Sequence, residues 1–202
     1  MGIKRLLVAC GLVVCLSTAT AQALRGPFGL SQGMSMADVQ RLGRLEPAKS
    51  NHWYTIRRLP DGHPDIDEYR VLVSPKHGLC KIIAWTAAIP SNAFGDQLRS
   101  KYEQLQDALT EKYGRSKKFD FLQNGSIWND RRDFMMALSK NERSLATYWD
   151  EEERSTLTAR LSTISLKAHA INSSSGIISI SYEFENFIEC DQWVKGQKNS
   201  NL

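Results

Sequence analysis

The amino-acid sequence predicts an α+β fold, in which short helices cover antiparallel sheet meanders. Apolar residues spaced by threes and fours mark amphipathic helices, and other segments alternate apolar and polar residues with the period of a strand. The order is one helix and three strands, then one helix, four strands and a terminal helix. Each helix must cover one face of a sheet, so this order favours layered α+β architecture, with two similar halves at about 24–90 and 91–202 as an open interpretation.

The first helix has signals at both ends. Ser35 is placed to cap the free backbone donors, and Asp38 follows three residues later as in a capping box. Met34 and Val39 occupy the two positions of a hydrophobic staple. Gly43 is predicted to end the helix in the left-handed conformation.

Three strands are predicted next, at His52–Arg58, Tyr69–Ser74 and Leu79–Ile89. These segments are rich in aromatic and β-branched residues, and turn residues such as Pro, Gly and Asp separate them. Strands joined this closely predict a three-stranded meander.

The second helix is predicted from about Gly95 to Tyr113, with Gly114 as its terminator. Its apolar side chains are spaced so that they share one face. They are Leu98, Tyr102, Leu105, Leu109 and Tyr113. We expect this face to pack into the core.

The next two elements are less clearly marked. Arg132–Ser139 and Ser144–Asp150 flank a short polar turn and predict a hairpin. Residues Phe134–Leu138 also fit one turn of helix, so both interpretations stay open. Asp150–Arg154 is expected to form an exposed loop because it is almost entirely charged.

The last strands have the strongest pattern. Ser162–Ala170 and Ile177–Phe184 alternate strictly between apolar and polar residues, and a short polar segment joins them. From about Asn186 the chain is predicted to form a terminal helix that carries Cys190 and Trp193.

The first 23 residues have the order of a secretory signal peptide. Lys4 and Arg5 precede an apolar run, Leu6–Leu16, and small residues follow up to Ala23. We expect cleavage after about Ala23 and a periplasmic or secreted single α+β domain at 24–202. No later segment has the roughly 18 apolar residues of a transmembrane helix.

A lipid anchor is the alternative for this segment. Leu7–Cys10 reads as a lipobox, which would make Cys10 the acylated terminus. Apolar residues continue well past Cys10, so cleavage after Ala23 is favoured.

Cleavage after Ala23 removes Cys10 and Cys15 and leaves Cys80 and Cys190. An even pair in an oxidising compartment predicts a disulfide.

The charge balance argues against two classes of partner. The chain has 26 Lys and Arg against 22 Asp and Glu, a formal net charge of +4 at pH 7. Such a balance favours neither nucleic acid nor an anionic membrane surface. The short basic runs at 115–118 and 131–132 are interpreted as a helix end and a solvated segment.

One motif suggests a serine hydrolase. Gly29–Gly33 reads GLSQG and matches G-x-S-x-G around Ser31. A nucleophile elbow needs a strand directly before the serine and a helix directly after it. Pro27 and two glycines occupy the place of the strand, and the helix begins only at Met36. We therefore predict no catalytic residue and no enzyme, with a small envelope hydrolase using Ser31 as the rival hypothesis.

A second polar segment could hold a metal. Asp61, His63, Asp65 and Asp67 are metal-ligand types, but their spacing completes neither a calcium loop nor a zinc site. A polar turn is the favoured interpretation and a weak calcium or zinc site the alternative. No cofactor is predicted.

Three aromatic residues are candidates for partner binding: Trp53, Tyr54 and Trp128. Indole and phenol rings supply large contact areas together with one polar group, and they are enriched where proteins bind one another.

Three segments carry a resemblance to known proteins: Gly33–Gly43, Leu109–Gly114 and the closing pattern Ile-Ser-Leu…Ile-Ser-Ile-Ser-Tyr-Glu-Phe. They resemble a loose group of uncharacterised small periplasmic proteins of Gram-negative bacteria. More distantly, the element order resembles the β-lactamase-inhibitor-protein-like fold, which the outer-membrane assembly lipoprotein BamE shares. This resemblance implies binding or inhibition rather than catalysis.

The expected function is that of an exported, non-enzymatic protein-binding module, an inhibitor or an immunity-type protein. Its partner would be another envelope or secreted protein. An envelope assembly or scaffold accessory is the alternative within the binding class, and it would favour the lipidated form at Cys10.

Overall fold

A computed structural model describes residues 25–199, so the predicted signal peptide and the lipobox alternative at Cys10 lie outside the described residues. The described residues form four α-helices and nine strands, and the predicted α+β class is confirmed. The helices are α1 (Met36–Leu42), α2 (Asp96–Tyr113), α3 (Phe134–Ser139) and α4 (Phe187–Asn199). The strands are β1 (Glu46–Pro47), β2 (Trp53–Ile56), β3 (Ile66–Ser74), β4 (Gly78–Thr86), β5 (Ile89–Pro90), β6 (Lys117–Leu122), β7 (Arg143–Trp149), β8 (Leu161–Asn172) and β9 (Ser175–Phe184).

All nine strands belong to one antiparallel sheet. Eight follow the order β1-β2-β3-β4-β9-β8-β7-β6, and β5 pairs with β9 beside this path. The predicted N-terminal meander is present as β2, β3 and β4. Its last strand pairs with β9, with Ile82 opposite Tyr182 and Ala84 opposite Ile180. The two predicted halves therefore share a single sheet.

The main core lies between one face of this sheet, called here the helix face, and α1, α2 and α3. The α2 helix packs on β5, β8 and β9, and α3 packs on β7 and β8. The predicted stripe of α2 is fully inside: Leu98, Tyr102, Leu105, Leu109 and Tyr113 are all buried. The alternating residues of β8 and β9 meet them, including Ile164, Leu166, Ile178 and Ile180. Each fully buried side chain of this size contributes about 1.5 to 3 kcal/mol.

The fourth helix lies on the opposite face of the sheet, over β4. It is fastened by the predicted disulfide between Cys80 and Cys190, whose Cα atoms are 6.4 Å apart. Leu72 and Val194 pack with the two cysteines in a small second core. The terminal helix and the disulfide are thus confirmed.

A β-bulge aims Cys80 at this helix. Leu72 pairs with Lys81 and Val73 pairs with Leu79, so Cys80 is the extra residue of β4. A bulge shifts the alternation of side chains by one position. Leu79 therefore stays on the helix face while Cys80 turns toward α4.

The first helix confirms the predicted capping box. Ser35 Oγ accepts the backbone N–H of Asp38 (3.2 Å), and the Asp38 carboxylate accepts the backbone N–H of Ser35 (3.0 Å). The prediction that Gly43 adopts the left-handed conformation is wrong, because its φ of −173° is that of extended backbone. Close packing explains the glycine instead: a Cβ there would lie 2.7 Å from Ile56 Cγ2 and 2.8 Å from the Arg58 carbonyl oxygen.

The hairpin predicted at Arg132–Ser139 is wrong, and the helical alternative is correct. The Asp130 carboxylate accepts the backbone N–H of Arg132 (3.0 Å) and caps a 3₁₀ turn that leads into α3. Phe134, Met135, Ala137 and Leu138 of α3 are buried, so packing stabilises the helix. The strand that pairs with β7 in antiparallel orientation is β6, which precedes α3 and was not predicted.

We expect the disulfide to contribute much of the stability. It closes a loop of 110 residues, which in the chain-entropy model stabilises a fold by about 4 to 5 kcal/mol. The double variant C80A/C190A should lose about 2 to 5 kcal/mol of unfolding free energy, measured by urea denaturation. Adding reductant should lower the stability of the natural chain and leave the double variant unchanged. An unchanged urea midpoint would contradict this expectation.

A buried hydrogen bond between α2 and β7 gives a second test. Tyr102 Oη and Thr147 Oγ1 are 2.7 Å apart, and both residues are fully buried. Y102F and T147V should each cost about 1 to 2 kcal/mol, because each leaves a buried polar group with fewer partners. The double variant should cost less than the sum by about 0.5 kcal/mol or more in a double-mutant cycle. Strict additivity would show that the two hydroxyls are not coupled.

Candidate functional site

Much of one sheet face is not covered by any helix. Side chains alternate between the two faces of a strand, so residues that point away from α1, α2 and α3 form a second surface. The α4 helix covers only its corner near Leu72 and Cys80. We call the uncovered remainder the open face. Its residues are Arg70, Ile83, Trp85, Phe119, Phe121, Ala146, Tyr148, Ser165, Lys167, His169, Ser179 and Ser181.

Side chains from four strands, β3, β4, β9 and β8, meet in the middle of the open face. The Trp85 ring centre lies 5.2 Å from that of His169, and the Arg70 guanidinium carbon lies 5.8 Å from the Trp85 ring centre. Ser179 of β9 stands between β4 and β8 and is small enough for the Trp85 and His169 rings to meet above it. His169 Nε2 is hydrogen-bonded to Ser179 Oγ (2.9 Å), which fixes the imidazole.

The same pattern continues toward the sheet edge. The Lys167 ammonium lies 5.4 Å from the Tyr148 ring centre, and Tyr148 packs edge-to-face on Phe119 with ring centres 5.7 Å apart. The Lys117 ammonium lies 5.5 Å from the Phe119 ring centre. Cations over aromatic faces attract the ring quadrupole. We call the whole series the cation–aromatic stripe; it consists of Arg70, Trp85, His169, Lys167, Tyr148, Phe119 and Lys117.

Two depressions lie along the open face. One, of about 640 Å³, is lined by Phe119, Phe121, Tyr148, Lys167 and His169 among others. The second, of about 580 Å³, lies at the other end of the face and includes Lys49, Trp53, Thr55, Arg70 and Ile83. The stripe connects the two depressions through Trp85.

The stripe is basic and contains no carboxylate. Arg70 and Lys117 have acidic partners beside the stripe, Glu68 at 2.7 Å and Glu153 at 3.5 Å. In the part of the chain that the structure describes, no carboxylate lies within 4.0 Å of the Lys167 ammonium. Burial, and then the positive charge of Lys167, lower the pKa of His169, so the imidazole is neutral at pH 7. A free cation at Lys167 therefore stands at the centre of an aromatic surface.

Two polar atoms of the open face have no hydrogen-bond partner among residues 25–199: Trp85 Nε1 and Ser181 Oγ. Both are shielded from solvent, and such groups are uncommon in folded domains because each costs about 1 to 3 kcal/mol.

The structure does not bring the three predicted partner-binding residues onto one surface. Trp53 and Tyr54 are consecutive in β2 and face opposite sides of the sheet: Trp53 packs near α4, and Tyr54 packs on the main core. Trp128 follows β6, at the other end of the strand order. Trp53 lines one depression of the open face, and partner binding by the three residues stays a prediction.

Sequence reasoning missed Trp85, His169, Tyr148 and Phe119 as members of a site. The available signal for Trp85, His169 and Tyr148 was their place opposite the buried side of their strands, where a large aromatic ring has no core to join; Phe119 lies on β6, which was not predicted.

The carboxylates of the segment considered as a metal site form ion pairs with basic side chains. Asp61 lies 3.8 Å from Arg25, Asp65 lies 3.0 Å from Lys101 and Asp67 lies 3.9 Å from Arg57. The backbone N–H of Asp65 donates to His63 Nδ1 (3.2 Å). Among residues 25–199, no group of three or more His, Cys, Asp or Glu is arranged to hold a metal ion.

Ser31 does not have the surroundings of a nucleophile elbow. A 3₁₀ turn, Pro27–Gly29, precedes it and the helix begins at Met36. Its hydroxyl accepts the backbone N–H of Gly26 at 3.4 Å. This is the hydrogen bonding of a turn residue.

We expect His169 to make stability depend on pH. Its pKa is lowered from 6.5 in the folded state, so the unfolded chain binds the proton more readily and stability falls as the pH drops below 6.5. The natural chain should lose more unfolding free energy than H169Q between pH 7.5 and 5, measured by urea denaturation. K167Q should show a smaller loss than the natural chain, because the Lys167 charge contributes to the shift. An equal pH dependence in the natural chain and H169Q would refute this role.

Comparison with known proteins adds no relative: no family model, no curated protein and no solved structure matches the chain. Within residues 25–199, no helix is long and apolar enough to cross a membrane.

Proposed function

We propose that this protein is an exported, non-enzymatic module that binds another envelope or secreted protein through its open face. The observation that carries the proposal is the cation–aromatic stripe on an uncovered sheet face. Aromatic residues and arginine are the side chains that dominate binding energy in protein interfaces. Exposed aromatic groups rimmed by polar residues are typical of interaction sites on protein surfaces.

The size of the stripe fits a protein better than a small molecule. It crosses six neighbouring strands, from β3 to β6 in the sheet order. Neighbouring strands are about 4.8 Å apart, so the stripe is roughly 25 Å long. Protein interfaces bury about 800 Å² on each partner, which is a patch of similar width.

The charge of the stripe indicates the chemistry of the partner. Lys167 has aromatic neighbours and no carboxylate beside it in the described chain. A partner that places an Asp or Glu over Lys167 and apolar groups over Tyr148 and Phe119 would satisfy both features. Such charge complementarity sets specificity and association rate. We therefore infer an acidic patch with apolar neighbours on the partner.

The Cys80–Cys190 disulfide supports an oxidising compartment for the mature chain, as export after cleavage near Ala23 requires. The resemblance to periplasmic proteins and to the β-lactamase-inhibitor-protein-like fold favours an inhibitor or immunity-type role. The alternative role, an envelope assembly accessory, would retain a lipid at Cys10. Mass spectrometry of the mature N-terminus distinguishes the two, because the first role gives a chain beginning at Leu24.

Site-specific crosslinking in cells tests the proposed face. A photoreactive amino acid at Tyr148 or Ile83 should capture one envelope or secreted protein, because both positions lie on the open face. The same group at Gln104 or Glu111, which are exposed on α2, is the matched control and should capture none. Equal capture from α2, or none from the open face, would refute the proposal.

The charge of Lys167 gives a quantitative test with the captured partner. K167E should weaken the complex about tenfold or more, because it places like charges together. K76E changes an exposed lysine in the turn between β3 and β4 and should leave the Kd unchanged. Both variants should keep the natural free energy of unfolding, measured by urea denaturation, to within about 0.5 kcal/mol.

A further inference from the structure

We propose that two copies of this chain associate by antiparallel pairing of their β6 strands, around a twofold axis that passes through Phe119. The two sheets would then form one continuous sheet. This association uses the edge of the sheet and goes beyond the proposed binding of another protein by its open face.

The outer edge of β6 is free to pair. It is the last strand of the sheet order, and among the described residues its only strand partner is β7. Lys117 to Phe121 are all exposed. Phe119 and Phe121 are 37% and 52% exposed, which is high for phenylalanine and leaves apolar surface along the edge. An edge with these properties can accept another strand.

The hydrogen-bond pattern shows which backbone groups face outward. The backbone N–H of Gln123 donates to the carbonyl oxygen of Glu142 (2.8 Å), in line with the β6–β7 register. In an antiparallel ladder, residue pairs that exchange two backbone hydrogen bonds alternate with pairs that exchange none. Since Gln123 is hydrogen-bonded to β7, the odd-numbered residues of β6 are the ones whose backbone groups bond to β7. The N–H and C=O groups of the even-numbered residues, Lys118, Asp120 and Leu122, therefore point away from the sheet.

The order of charges selects one register. With the twofold axis at Phe119, Lys118 lies opposite Asp120 of the second copy, and Asp120 lies opposite Lys118 of the second copy. Both positions carry outward backbone groups, so each Lys–Asp pair also exchanges two backbone hydrogen bonds. Opposite charges directly across two strands are stabilising. In this register, opposite charges face each other at the same positions where backbone hydrogen bonds form.

The other registers lose the Lys–Asp pairing. An axis at Phe121 sets Asp120 opposite Leu122 of the second copy, so no opposite charges face each other. An axis at Asp120 would oppose the two Asp120 carboxylates, and an axis at Lys118 would oppose the two Lys118 ammonium groups, which is destabilising. An axis between two residues would set outward groups of one copy against inward groups of the other, so the ladder could not form.

Neighbouring charges fit the selected register. Arg143 Nη2 lies 2.7 Å from Asp120 Oδ1, and Glu103 Oε1 lies 4.0 Å from Lys118 Nζ. The paired edge would therefore carry alternating positive and negative groups on the helix face. On the open face, Phe119 would meet Phe119 of the second copy, and the two cation–aromatic stripes would join end to end.

Charge exchange across the edge is the first test. Six residues make a small interface, so we expect a weak dimer, with a Kd of about 10 µM to 1 mM in sedimentation velocity. K118D and D120K each create like-charge pairs and should raise the Kd about tenfold or more, while K118D/D120K should restore the dimer because opposite charges face each other again. A double variant that dimerises no better than the single variants would overturn the proposal, provided all variants keep the natural circular-dichroism spectrum.

Disulfide trapping is the second test and reports the register directly. The background is the full chain with C10S and C15S, so that F119C adds the one unpaired cysteine. F119C should form a covalent dimer under mild oxidation, because the Cα atoms of two residues that face each other without exchanging hydrogen bonds are about 4.5 Å apart. F121C is the matched control and should stay monomeric, because in this register it lies opposite Lys117 of the second copy. Trapping by D120C or F121C in place of F119C would show the axis at Asp120 or at Phe121, and trapping by none of the three at 1 mM protein would exclude pairing through β6; each of these results overturns the proposal. The crosslinks at Tyr148 and Ile83 are scored separately, so the two proposals can fail independently.

Discussion

The pairing of β4 with β9 joins two parts of the chain that are far apart in sequence. Ile82 and Ala84 lie opposite Tyr182 and Ile180, and the Ile178 N–H donates to Thr86 Oγ1 (3.0 Å) where the two strands end. The Cys80–Cys190 disulfide fastens the same junction from the opposite face of the sheet. Without this pairing, strands β1 to β4 would be separated from the strands on which α2 and α3 pack, β5 and β7 to β9. The pairing also sets Trp85 beside Ser179, and so it creates the centre of the open face.

Local signals in the sequence predicted the elements that depend on local interactions. The Ser35 capping box and the apolar stripe of α2 are contained within one turn or one helix, and β8 and β9 alternate over their full length. Residues 118–121 alternate polar and apolar side chains, but over only four residues, so this edge strand gave a much weaker signal than β8 and β9. The α3 helix is only six residues long, which is too short to show a period. Its helical form depends on packing against β7 and β8.

The candidate site could not be predicted because it is assembled by strand order. Trp85, His169, Tyr148 and Phe119 come from four separate strands, and nothing in their spacing along the chain relates them. His169 alternates with the apolar residues of β8, but the sequence could not show which residues would stand beside it. Trp53 lines a depression of the open face and Trp128 does not line either depression, but partner binding by both stays a prediction. The extent of the face is also non-local, because it depends on how much of the sheet α4 covers.

The strand order has a consequence for the way the chain is made. A ribosome or a translocation channel releases residues from the N-terminus onward, so β4 emerges long before β9, and Cys80 emerges 110 residues before Cys190. During that interval the N-terminal meander has a bare edge on β4, and Cys80 is a free thiol. Folding of this sheet is therefore completed only after nearly the whole chain is released, as expected for folds dominated by distant contacts. The β4 edge therefore stays unpaired until its last strand partner arrives.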